Sequence, residues 1–387
     1  MIPTSGCDKK NRRPSAVIAL MGVAALVIGL GLITPTVRPL ASSLLALQPG
    51  GQAGGGPGQG SPALASRFPG SDCGAKINAA DDSLGSSPGE IWIDQACGTV
   101  WTTNLRFSGS RVLRFVQGGT YKVPTIELPA GLGRFTLLAS GVGMTILQAA
   151  SPNTPVILCN QSGNDSDGDY LAGFSVQANA SGSIGPAIDT SGCRATTFEN
   201  ISYLSNGAAN FGSFFRFSSS PHHCYGIRVV HPLVQKQTGP STVFLFDNNG
   251  RGDAAYNANV IYLEDVWIYG NTGISVVFDA RRSALTSITG GDVEANRGAT
   301  VLIPGGLTTM SGVWLEANAT ESVVGMSGPD GSSNGVHLTG NYITPQTFTI
   351  ARGEREWVVQ GNMPGVNLTI RDMSGEASHV LQKPAVH

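Results

Sequence analysis

The chain has 387 residues and a formal net charge of −2, so no excess of basic charge points to a nucleic-acid partner. Hydrophobic residues make up 41% and charged residues 13%, beside 52 glycines. That composition excludes a disordered chain, supplies a sizeable core and suits a protein of many tight turns.

Residues 1–15 carry Lys9, Lys10, Arg12 and Arg13 and read as a basic cytoplasmic segment. Residues 16–33 follow as an uncharged apolar run of 18, long for a signal-peptide core and just enough to span a bilayer. A positive flank before such a run predicts a signal peptide or a membrane anchor, with the rest of the chain secreted or anchored outside the cytoplasm. Residues 34–66 include PGGQAGGGPGQGSP at 49–62, a flexible linker. Residues 67–375 then form the folded domain, and 376–387 a C-terminal tail.

The domain opens on an Ala/Asn/Asp-rich run, 68–87, that permits a short helix. Strand-like segments follow at 90–94, 112–116 and 120–123. Downstream one nine-residue phrase recurs: LEDVWIYGN at 263–271, ITGGDVEAN at 288–296, MSGVWLEAN at 310–318 and LTGNYITPQ at 338–346. The same template catches 171–179, 198–206 and, more loosely, 227–235. Counting from zero, the first residue is large and apolar, +3 and +5 are mostly apolar, +4 and +6 vary freely, and +8 is an amide. Alternation with period two is a strand with one buried face. A unit of about 25 residues cannot bury that face alone, so the copies must stack as coils of a solenoid. Ten to twelve coils are expected, with a helix over the first to block edge pairing. The +8 column, Asn179, Asn206, Gln235, Asn271, Asn296, Asn318 and Gln346, predicts an amide ladder. WVVQGN at 357–362 preserves the end of the phrase too soon for another coil and reads as a C-terminal cap.

The segments LLASGVGMTIL (137–147) and DCGAKINAAD (72–81), with the repeats, resemble the right-handed parallel β-helix proteins of the pectin-lyase-like group, including its pectate-lyase-superfamily and polygalacturonase-related domains. The resemblance implies an all-β, single-stranded right-handed parallel β-helix with a short N-terminal capping helix, and a carbohydrate-active protein. The polygalacturonase signatures Asn-Thr-Asp, Gly-His-Gly and Arg-Ile-Lys are absent from it.

Equal offsets in successive coils become neighbours in space. The +4 column reads Ser175, Ser202, His231, Trp267, Asp292, Trp314, Tyr342, and Tyr269, Glu294 and Glu316 stand at +6. Trp267, Tyr269, Trp314 and Tyr342 would cover the apolar faces of sugars, and the carboxylates would accept their hydroxyl hydrogen bonds. Glu294 and Glu316, about 5 Å apart at the backbone, match a retaining glycosidase pair, with Asp292 beside them. Their like charges would push one pKa upward. The same residues suit equally a face packed under a loop or a subunit interface.

An alternative site aligns TVFLFD (242–247) with ISVVFD (274–279), stacking Asp247 on Asp279 near Arg281. In residue type these resemble the acids and arginine base of pectate lyases, which work with Ca²⁺. No cofactor is expected otherwise; calcium is the one candidate. NDSDGD at 164–169 holds calcium-type ligands without EF-hand spacing, and HHC at 222–224 is too few for zinc. Cys73 and Cys97 would join cap to first coil. Cys193 lies near Cys224, with Cys159 competing. RGD at 251–253 is ascribed to chance.

The expected function is an extracytoplasmic protein that binds, and is a candidate to cleave, an extracellular polysaccharide as hydrolase or lyase. The alternative is a non-catalytic module binding glycan or protein, or a structural, spike-like solenoid forming a homotrimer.

Overall fold

The computed structural model describes residues 61–130, 135–159, 166–219, 224–247, 258–319, 321–325, 335–343, 346–352, 354–364 and 368–381. Residues 16–33, most of the linker, the RGD triplet and His222-His223 lie outside them. The described residues belong to one compact unit, Gly54–His387.

Two parallel sheets of 23 and ten strands wrap as a right-handed parallel β-helix. The phrase start forms a continuous inward column. It runs Ile91, Leu113, Leu137, Leu171, Phe198, Val229, Leu263, Ile288, Met310, Leu338, Val359, Leu381, each paired with the next. Ala63 pairs with Ile91 ahead of it, so the stack begins and ends beyond 67 and 375. On the second sheet Ile188, Phe215, Phe244, Phe278 and Leu302 make a parallel column, with Phe244 and Phe278 stacked at 5.3 Å and 5°. Each such side chain contributes about 1.5–3 kcal/mol by leaving water, and only because a neighbour covers it above and below.

What bends the chain within each rung is a left-handed residue at +2: Gly173, Asn200, His231, Asp265, Gly290, Gly312, Gly340 and Gly361 all have positive φ. A second corner lies at +7, at Lys236, Gly270, Ala295 and Ala317. The amide at +8 then ties the coils together. Asn271 Nδ2 donates to Asn296 Oδ1 at 2.9 Å, and Asn296 Nδ2 to Asn318 Oδ1 at 3.1 Å. Each also donates to a core-strand carbonyl, at Val234, Ile268 and Val293.

Three register expectations change. The third copy starts at Val229, not 227, because Val229 pairs with Leu263. Its ladder amide is therefore Gln237, whose backbone N–H donates to Asn271 Oδ1 at 3.3 Å, while Gln235 stands outside the ladder and accepts from the Tyr269 hydroxyl. The 357–362 segment is a true coil, since Leu338 pairs with Val359. Its Asn362 sits at +3, where it accepts from Asn341 Nδ2 at 3.0 Å in a second amide pair.

The helix α1, Cys73–Leu84, covers the first coil, capped by Asp72 accepting from Ala75 N–H at 2.8 Å. Cys73–Cys97 bonds it to the stack, and a buried Arg111–Asp81 pair anchors its far end. The second disulfide is Cys159–Cys193, leaving Cys224 buried and reduced against Thr190 Oγ1 at 3.2 Å. Burial pushes the Cys224 thiol up to about 12. Two disulfides fit an oxidising compartment. Among the described residues no helix is long and apolar enough to cross a membrane.

Candidate functional site

Alternation decides what faces outward. Val266, Ile268, Val293 and Leu315 are fully buried, so the residues between and beside them point away from the core. Trp267 pairs with Asp292 and Tyr269 with Glu294; one coil on, Asp292 pairs with Trp314 and Glu294 with Glu316; then Trp314 pairs with Tyr342. The structure thus brings all seven predicted residues of this face together on four successive rungs.

Within the face the rings divide. Trp314 stacks on Tyr342 at 3.7 Å between centroids, while Trp267 lies nearly parallel to His231 at 6.1 Å. Trp267 and Trp314 remain 36% and 41% exposed. Between these two rings falls one rung, and its outward side chain is the short Asp292. The approach is tight because Gly291 has no side chain: a Cβ there would stand 2.1 Å from the Val266 carbonyl oxygen.

Asp292 Oδ1 is buried with no hydrogen-bond partner. Burial first, then the charges of Glu294 and Glu316, push its carboxyl up to about 6. The acid displaced toward neutrality is therefore Asp292, where like charge was expected to lift one of the two glutamates. Glu316 accepts from Trp314 Nε1 at 2.9 Å, which fixes the ring and occupies one carboxylate oxygen.

The upper end of the +4 column departs from expectation. Ser175 and Ser202 are buried and hydrogen-bonded to each other and, for Ser175, to Gly143 N–H. Leu233, paired with Trp267, replaces His231. His231 stands instead at the left-handed corner, next to Asp265 at the same corner of the next coil, with Nδ1 and Oδ2 2.9 Å apart. Asp265 Oδ1 accepts from Trp267 Nε1 at 3.0 Å. These two residues were missed as a pair; the available signal was a His and an Asp where the copies from 288 onward place Gly.

The alternative site does not assemble. Phe244 pairs with Phe278 and Leu245 with Asp279, so Asp247 is two residues out of register with Asp279. Asp279 is held bidentately by Arg281, with 2.7 Å from Nε to Oδ1. Asp247 lies 3.8 Å from Arg216, which also binds Asp189. Donating to the Asp279 carboxylate raises the Arg281 pKa, the wrong direction for a base. Carboxylates already matched to guanidinium groups do not fit a calcium site. Among the described residues no group of three His, Cys, Asp or Glu is placed to hold a metal ion.

No protein-family model matches the chain, and no curated protein matches it. Among solved structures it is similar to two from Azotobacter vinelandii. The Mannuronan C-5 epimerase AlgE4 A-module matches with a TM-score of 0.42 at 11% identity, covering 83% of this chain and 100% of that one. The AlgE6 A-module of the same enzyme class matches with a TM-score of 0.38 at 12% identity, over the same shares. At that distance neither bears on activity, and the class stated for this chain, a parallel β-helix protein, rests on its own register.

Proposed function

We propose that this chain is a carbohydrate-active β-helix protein of pectin-lyase-like type that binds a polysaccharide across the Trp267–Tyr342 face and cleaves it with Asp292 as proton donor. The observation that carries the reading is a half-buried carboxyl, unpartnered at Oδ1, set between two exposed tryptophans. An acid at about 6 is protonated enough to donate near neutral pH, and exposed rings beside it suit the apolar faces of a sugar chain. Glu294 and Glu316 accept sugar hydroxyls and are the carboxylate candidates for the second catalytic role. The domain works outside the cytoplasm, tethered or released according to the fate of residues 16–33.

Reducing-sugar release and unsaturated-uronate absorbance are measured on alginate, polygalacturonate, carboxymethylcellulose and xylan. The proposal predicts release from at least one, reduced about 100-fold or more in Asp292→Asn. Turnover unaffected by that substitution removes Asp292 from the chemistry.

A further inference from the structure

Resting on the polysaccharide reading of this face, we infer that it selects glycans by charge: a chain bearing amino groups binds best, a neutral chain less well and a polyuronate worst.

The negative charge of the face is concentrated and unmatched. Asp292 and Glu294 stand on one rung and Glu316 on the next, paired with Glu294 and so roughly 5 Å from it at the backbone. The charges felt at Asp292 are those of the two glutamates, both negative. Among the described residues no arginine or lysine forms an ion pair with any of the three. Elsewhere on the same sheet a carboxylate meets a guanidinium from the adjacent strand, Glu90 with Arg114 and Glu264 with Arg228. The exception falls where Trp267 and Trp314, both exposed, flank Asp292.

The cations at the margin are already engaged. Lys236 Nζ lies over the Tyr269 ring, 5.6 Å from its centroid, and His231 Nδ1 stands 2.9 Å from Asp265 Oδ2. Both belong to the coil before Trp267, so neither reaches the rungs of Asp292 and Glu316 through the backbone register. Nor are the three carboxylates grouped as chelating ligands: among the described residues no set of three is placed to hold a metal ion. Solvent ions balance the charge until a ligand arrives, and a ligand that brings its own cations displaces them.

Three kinds of sugar chain meet this surface differently. All of them can lay apolar ring faces on the tryptophans, so stacking does not rank them. An ammonium group adds charge-assisted hydrogen bonds to carboxylates and a cation–π contact over an indole. A neutral sugar offers hydroxyl hydrogen bonds alone. A uronate brings a fourth carboxylate beside three others, and at such range like charges oppose binding.

The test is isothermal titration calorimetry of the full chain with oligosaccharides of equal length made of glucosamine, xylose or galacturonic acid, at a pH where the amino groups are protonated. Glucosamine chains should bind about tenfold or more tighter than galacturonate chains, with xylose chains between. Added salt should weaken the first and strengthen the second. In the double variant Glu294→Gln, Glu316→Gln the glucosamine-to-galacturonate preference should fall about tenfold or more, while Trp267→Ala should weaken all three chains together. Galacturonate binding as tightly as glucosamine in wild type, or a preference unchanged in the double variant, overturns the inference and leaves the glycan face standing. Binding of none of the three overturns the glycan face and the inference with it.

Discussion

Asp292 joins burial to chemistry in one carboxyl. The folded chain keeps its proton up to about 6, against 3.8 for the ordinary side chain. Between those values the folded state binds more protons than the unfolded, so stability falls as pH rises through the window. Asp292→Asn is therefore expected to raise Tm at pH 8 and to leave it unchanged at pH 3.5, read by scanning calorimetry; equal shifts at both would contradict the burial argument. Turnover should decline on the alkaline side near 6, where the donor loses its proton. Asp169 offers the same physics away from the site. Burial pushes it to about 7 although its Oδ1 accepts from Phe135 N–H at 2.8 Å. Asparagine keeps that acceptor without the charge, so Asp169→Asn should raise Tm at pH 8 and not at pH 3.5.

At the scale of one coil, the ladder discriminates between two glutamines two residues apart. Gln237 accepts from Ser205 N–H at 2.6 Å and donates to the Tyr203 carbonyl, whereas Gln235 meets only the Tyr269 hydroxyl in the hydrogen bonds seen for it. Gln237→Ala leaves two part-buried backbone groups unpaired and should cost about 1–3 kcal/mol by urea denaturation, while Gln235→Ala should stay within about 0.5 kcal/mol. Sequence alone could not separate them. Frames starting at 227 and 229 share the same strand parity, and both put an apolar residue first and an amide at +8. The same two-residue ambiguity set Asp247 over Asp279, because Phe246 substitutes for Phe244 without changing which face is buried. Parity is what hydrophobic alternation encodes; absolute register needs the corner. The left-handed +2 residue supplies it, and in the late copies it was visible as a recurrent glycine. Once His231 is placed there, the frame beginning at Val229 follows.

Across the molecule, the repeat, the helical cap and the Cys73–Cys97 link were all legible, since each follows from stacking that must bury one face and close one end. The four-rung face was legible for the same reason: residues at one offset are vertical neighbours. The Cys159–Cys193 pairing was not, because three cysteines on adjacent coils differ in direction and not in spacing. Nor was the His231–Asp265 contact, which depends on a corner whose geometry alternation does not describe. The proposed glycan site depends on exposed Trp267 and Trp314. Affinity electrophoresis through gels containing each of the four polysaccharides, with native mass recorded in parallel, tests it most directly. At least one polysaccharide should retard wild type, Trp267→Ala and Trp314→Ala should each weaken this about tenfold or more, and mass should be unchanged. Retention identical in all three proteins, or a change in oligomeric mass alone, would make the face a packing surface and contradict it.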